Sequence, residues 1–316
     1  MSGAPGAPLA IGEMSPVALV LSDETVFWAT AGAGAATGTI RSVAKSGGTP
    51  TTLVEGVASP RRIATDGAFV YWTEQGSGGA TGALKRISRA GGKSDTLADK
   101  QVAPTGVAVD AHAVYWADHG DDACGAGVIR AWFKAMAHPT VDMATGLCSP
   151  ADVAISGRSV LWTQKSQLSG VAVEQLDIAA GGENPQPGDP GTQLATRIVA
   201  HGYETAYAGI SDDGKWAVRY TGALATSPVV AVEATEITSF DIDGAWVYWV
   251  TASSGGVRAL PLALPADAVS LPISDPGAAL VAVDQETIFW MSIAADGTGT
   301  LRRRAACSPT SSHCDP

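Results

Sequence analysis

The stretch Pro60-Arg-Arg-Ile-Ala-Thr-Asp-Gly-Ala-Phe-Val-Tyr-Trp-Thr-Glu74, followed by a glycine-rich loop and then Gly82-Ala-Leu-Lys-Arg-Ile-Ser-Arg-Ala-Gly-Gly92, is one copy of a unit that recurs along the chain. With Trp72 as the anchor, the matching positions are Trp28, Trp72, Trp116, Trp162, Arg219, Trp249 and Trp290. Their spacings are 44, 44, 46, 57, 30 and 41 residues. The long and short intervals around Arg219 together make two ordinary repeats, so Arg219 is read as the anchor of a degenerate copy. Six residues before each anchor stands Ser22, Asp66, Asp110, Ser156, Asp213, Asp243 or Asp284. A period in the forties with several short strands per unit is the signature of a propeller blade.

Each copy divides into four strands. A small apolar strand such as Gly106-Val-Ala-Val109 runs into a turn at the Asp or Ser. An alternating strand then ends at the anchor, and a third opens on a glycine such as Gly38, Gly82 or Gly127. Turns such as Gly47-Gly48 and Gly91-Gly92 lead to the fourth strand. Period-two alternation punctuated by Gly and Pro supports strands joined by hairpins. One large aromatic per blade fits the contact between neighbouring sheets, and burying it contributes about 2–3 kcal/mol.

Leu9 lies seven residues before Pro16, as Leu53 does before Pro60 and Leu97 before Pro104. Residues 8–13 therefore match a fourth strand that precedes any complete unit, while the last copy has only three. The expectation is an all-β, seven-bladed β-propeller whose N-terminal strand closes the last blade. The alternative is six blades, with the copy from Glu204 to Glu233 absorbed into its neighbours. Residues 1–7 read as linker, 8–306 as a single propeller domain, and 307–316 as a cysteine-bearing tail.

The motifs Tyr71-Trp72-Thr73-Glu74 and Tyr115-Trp116-Ala117-Asp118, with Pro-x-x-Ile-Ala-x-Asp upstream, resemble the Tyr-Trp-Thr-Asp (YWTD) repeat of LDL-receptor-type propellers. They are similar as well to NHL-type and secreted bacterial propellers. The resemblance covers nearly the whole chain and implies architecture. It implies no functional residues, and the catalytic set of the seven-bladed virginiamycin-type lyases finds no match here.

The net charge of −11 argues against nucleic acid and anionic membrane surfaces as partners. No apolar run of about 18 residues is present, so no spanning helix is expected. Cys124 and Cys148 fall in loops that a propeller opens on one face, and Cys307 and Cys314 are close together in the tail. Pairing as 124–148 and 307–314 implies an oxidising compartment, hence an extracellular or periplasmic location with any leader already removed. A competing reading is a metal site built from Cys124, Cys148 and His119.

Candidate site residues fall into three groups. Arg62, Asp152 and Asp241 break the Ala/Gly pattern at channel-facing positions of the inner strands. His119, His201 and Glu204 are expected at the channel mouth on the face carrying Cys124. Asp118, Asp121 and Asp122 are the oxygen donors that a hard cation such as Ca²⁺ would take, although their spacing matches no EF-hand loop; otherwise no cofactor is expected. The loop before Cys124 reads equally as a solvated turn, and Arg62 with Asp152 reads equally as a structural ion pair. No nucleophile-elbow, zincin, Walker or dinucleotide-binding motif is present.

The functional expectation is a monomeric, secreted or surface-anchored, non-catalytic propeller that binds a small polar ligand, a glycan or a protein at the channel mouth. The alternatives are a lyase or hydrolase using His119 or His201 with acidic neighbours, and a purely structural interaction platform.

Overall fold

In the computed structural model, the described residues are 7–121, 124–135, 140–165, 172–178, 186–187, 192–221, 229–253, 255–262 and 270–306. They form seven four-stranded antiparallel sheets. The inner strands are Pro16–Leu21, Pro60–Thr65, Pro104–Val109, Asp152–Ser156, Thr192–His201, Ile237–Ile242 and Ala278–Val283. Each touches the next around a closed ring, the last returning to the first. The chain is a seven-bladed propeller, blades 1 to 7 being numbered in the order of those strands.

The repeat residues explain the strands locally. The Asp six residues before the anchor makes an Asx turn. Asp66 Oδ1 accepts hydrogen bonds from the amides of Ala68 and Phe69 at 3.0 and 2.8 Å. Asp110, Asp243 and Asp284 do the same for their own hairpins. A side chain that satisfies two turn amides fixes the hairpin between first and second strands. The glycine opening the third strand has a different cause. A Cβ on Gly82 would lie 2.3 Å from Cδ of Pro104, which starts the next blade, and Gly127 stands in the same relation to Pro150. Recurrent Gly and recurrent Pro are thus two sides of one close approach between blades.

The six anchor tryptophans are fully buried. Trp72 packs on Ala29, Ile40 and Val57 of blade 1, and Trp162 on Ala117, Ile129 and Leu147 of blade 3. Each therefore fills the contact with the preceding blade. Most also carry a polar clamp. Trp28 Nε1 donates to Glu13 at 2.8 Å, Trp116 Nε1 to Gln101 at 3.1 Å, Trp249 Nε1 to Glu233 at 2.8 Å and Trp290 Nε1 to Asp275 at 2.9 Å. These acceptors stand at the end of the preceding blade's outer strand. A base on the third strand meets the same acceptor: Arg41 on Glu13, Arg130 on Gln101 and Arg258 on Glu233. In blade 2, Glu74 of the second strand serves both Trp72 and Lys85.

Ring closure follows the sequence expectation. The strand Ala10–Met14 pairs antiparallel with Thr298–Ala305, the third strand of blade 7, and Leu9 N donates to Leu301 O at 2.8 Å. Glu13 on this closing strand clamps Trp28 of blade 1, so the seam uses the same joint as the interior of the ring.

Copy five needs a correction of register. Blade 5 is complete, with strands Thr192–His201, Glu204–Ser211, Trp216–Thr221 and Val229–Glu233. Ile198 pairs with Tyr207 as Val153 pairs with Trp162. Tyr207 is therefore the anchor, and it is buried like the tryptophans. Arg219 instead lies opposite it on the third strand, as Arg130 lies opposite Trp116. With Tyr207 as anchor the spacings around it become 45 and 42. The six-bladed alternative is overturned.

Candidate binding site in the central channel

The inner strands surround a channel of about 290 Å³, walled mainly by Ala, Val, Leu and Ile. Arg62, Asp152, Arg197, His201 and Asp241 are its charged or titratable lining residues among those described. The sequence picked out four of them, Arg62, Asp152 and Asp241 as channel-facing and His201 at the channel mouth. Arg197 was missed because inward positions in copy five were counted from Asp213. Counted from His201, which stands six residues before Tyr207, Arg197 occupies the same place as Arg62 and Asp152 in their blades.

Asp152 lies between two guanidinium groups. Its Oδ2 is 3.8 Å from Arg62 Nε and 3.9 Å from Arg197 Nε. Its Oδ1 accepts from Val153 N at 3.1 Å, and its Oδ2 from Ile198 N at 3.4 Å. A Cβ on Gly106 would meet Asp152 Cα at 2.5 Å, so a glycine in blade 3 is what lets this carboxylate-bearing strand pack so close. Arg62 Nη1 donates to the Arg61 carbonyl at 3.3 Å. The Nε atoms of both arginines are buried and without a hydrogen-bond partner among the described residues. Burial, with the like charge of Arg62 beside it, pushes Arg197 down to about 10, against the pull of Asp152 and Asp241.

Asp241 is engaged differently. Its Oδ1 lies 3.0 Å from His201 Nε2 and accepts from Ile242 N at 3.0 Å, while its Oδ2 accepts from Val283 N at 2.9 Å. The hydrogen bond to Asp241 raises the His201 pKa above its ordinary value, against the effect of burial.

The structure does not gather all the expected residues at one mouth. His201 and Glu204 flank the hairpin between the first and second strands of blade 5. Cys124 and His119 belong to the loop between second and third strands of blade 3, which opens at the other end of the ring. The expectation of one face for His119, His201 and Glu204 is therefore wrong: a strand's two ends lie on opposite faces, and the misplaced register had moved His201 from a strand end to a loop leading into the blade. Glu204 accepts a hydrogen bond from Tyr220, whose pKa burial and this contact push up to about 12. His119 is not among the channel-lining residues.

The acidic loop divides similarly. Asp118 ends the second strand of blade 3, buried, with Arg130 Nη1 on its Oδ2 at 2.5 Å and Val102 N donating at 3.3 Å. Burial pushes its carboxyl up to about 6, against the attraction of Arg130. Asp118 thus belongs to the polar joint between blades and not to an open cation loop. Asp121 is exposed, and Asp122 lies outside the described residues. Among the described residues no three His, Cys, Asp or Glu side chains gather as a metal site. Cys124 and Cys148 form a disulfide, which consumes both thiols and removes the alternative of a metal site with His119. Cys307 and Cys314 lie outside the described residues. A disulfide is consistent with an oxidising compartment. No helix among the described residues is long and apolar enough to cross a membrane.

No protein-family model matches the sequence, and no curated protein does. Solved structures do resemble it. A chain of the nidogen–laminin complex aligns with TM-score 0.54 at 20% identity, over 70% of this chain and 80% of that one. The WD40 propeller domain of Doa1 aligns with TM-score 0.66 at 12% identity, over 94% and 96%. A chain of the mitotic checkpoint complex aligns with TM-score 0.68 at 12% identity, over 97% and 96%. The likeness is one of fold. This fold is commonly a platform for protein interaction, and its chemistry is set by the residues of each channel and rim.

Proposed function

We propose that this chain is a secreted or surface-anchored, non-catalytic binding propeller of bacterial type, monomeric, whose channel receives a small polar ligand or the polar end of a glycan or protein segment. The observation that carries this reading is the convergence of Arg62, Asp152, Arg197 and Asp241, from four different blades, on one open cavity with otherwise apolar walls. Charges placed in such surroundings interact strongly and need partners, which a polar ligand supplies. The Cys124–Cys148 disulfide supports the extracytoplasmic part of the proposal. The His201–Asp241 pair is the one feature that favours the lyase or hydrolase reading, with His201 as the base.

The test is calorimetric and thermal-shift titration of the purified protein with acetate, succinate, inorganic phosphate, glucose and glycerol, repeated on Arg62→Ala. The expected result is saturable binding of at least one probe, weakened by about 1–3 kcal/mol in the variant, the range for a lost charged hydrogen bond. Failure of every probe to bind, or a variant that loses stability while keeping affinity, would overturn the reading in favour of a structural role for the channel charges.

A further inference from the structure

We infer that Arg62 and Arg197 together form a receptor for a single carboxylate group, with Asp152 acting as a resident anion that holds the two arginines in place and competes with the ligand. The inference rests on the channel being a ligand site and names the chemistry of what it takes.

Three observations lead to it. The first is a count of charge. Two guanidinium groups face one carboxylate at 3.8 and 3.9 Å. Among the described residues the only other acidic one lining the channel, Asp241, is turned to His201 and to the amides of Ile242 and Val283. The two arginines therefore carry one positive charge more than Asp152 balances, a surplus that Asp241, which also attracts Arg197, reduces. The second is unmet hydrogen bonding. The contacts to Asp152 are longer than a hydrogen bond, and the buried Nε–H of each arginine has no acceptor among the described residues. A buried donor in that condition is costly, and an incoming oxyanion removes the cost. The third is space: about 290 Å³ remains open beside these groups, on the order of ten water molecules.

The same geometry selects a monoanion. Asp152 and Asp241 share the cavity with the ligand, and their charges oppose a second negative charge on it. A carboxylate offers two oxygens to two separate N–H donors and adds one charge. A phosphate near neutral pH brings closer to two.

The experiment uses the whole chain and the probes acetate, inorganic phosphate and glucose, titrated calorimetrically at fixed ionic strength. Wild type is compared with Asp152→Asn and Arg197→Met. Acetate is expected to bind wild type more tightly than phosphate does. Asp152→Asn keeps the side-chain shape and removes the competing charge, so it should tighten acetate by about tenfold or more, the effect of one nearby like charge. Arg197→Met removes one arm and should weaken acetate by at least about tenfold. Removing one partner of a buried ion pair usually costs stability, so a melt of the variant checks that it is still folded at the titration temperature. A purely structural ion pair predicts a different result for binding: Asp152→Asn would leave acetate affinity unchanged or reduced, while some loss of stability is expected under either reading because both carboxylate oxygens accept backbone amides. That binding result, or tighter binding of phosphate than of acetate, overturns the inference. If glucose binds in an Arg62-dependent way and acetate does not, the inference falls while the channel remains a ligand site. If no probe binds, both fall.

Discussion

Substitution of Glu13 by alanine tests the joint that closes the ring. Glu13 stands on the N-terminal strand, its side chain 1% exposed, and its carboxylate accepts from Trp28 Nε1 at 2.8 Å and from Arg41 Nη1. Alanine leaves the buried indole N–H without an acceptor, at about 1–3 kcal/mol. It strips Arg41 of its partner, at less cost because that side chain is 24% exposed and can be hydrated. It also deletes one buried methylene, at about 0.8 kcal/mol. The sum is about 3–5 kcal/mol, the range for breaking a buried ion pair from one side. In a chain of this size that lowers the melting temperature by about 5–8 °C. Urea unfolding and thermal melts at pH 7 measure it. Two companions calibrate the result. Glu13→Gln keeps an acceptor for Trp28 and should lose roughly half as much, and Ile11→Ala on the same strand, where Ile11 is 70% exposed, should change stability by less than about 0.5 kcal/mol. A Glu13→Ala protein within about 1 kcal/mol of wild type would refute the joint as a determinant of closure.

Three further outcomes follow from the same structure. Tyr207→Ala should cost about 3–5 kcal/mol, as deletion of a buried aromatic does, and Arg219→Ala clearly less; equal losses in urea unfolding would restore Arg219 as the anchor. Non-reducing peptide mapping should recover the Cys124–Cys148 pair, and Cys148→Ser should lower stability by about 3 kcal/mol through loss of a loop constraint; free thiols at both positions in protein from an oxidising host would contradict it. The His201 pKa is raised in the folded state by the hydrogen bond to Asp241, so its contribution is fully present below about pH 6.5 and disappears as pH rises through the folded value. With His201 half-exposed this amounts to less than about 1 kcal/mol, read as a pH-dependent urea midpoint that flattens in His201→Gln; an unchanged profile in that variant would remove the pair as its source.

The fold was legible because each recurring residue answers a separate steric or hydrogen-bonding demand. The Asp caps a hairpin, the Trp fills a sheet-to-sheet gap, and the Gly makes way for the next blade's Pro. The channel was less legible, and one substitution accounts for it. With Tyr207 in place of Trp and His201 in place of Asp, blade 5 kept its geometry but lost its letters. Asp213 and Arg219, six residues apart, imitated the missing pair. Arg197 was hidden by that imitation and by nothing else. Even spacing was the available signal, since Tyr207 restores a period in the forties throughout. The polar clamp was also readable in part: Glu13, Gln101 and Asp275 each lie fifteen residues before the tryptophan they serve.

The closing strand has a consequence for how the protein is made. Ala10–Met14 leaves the ribosome ahead of all the other strands of the ring, and its partner, Thr298–Ala305, follows them all. At about 5–20 residues per second, that delay is on the order of fifteen seconds to a minute. Through all of it a strand edge stands open to any other chain that can pair with it, and blade 1 already carries its tryptophan. In this molecule the first strand of the ring is paired only when the last arrives.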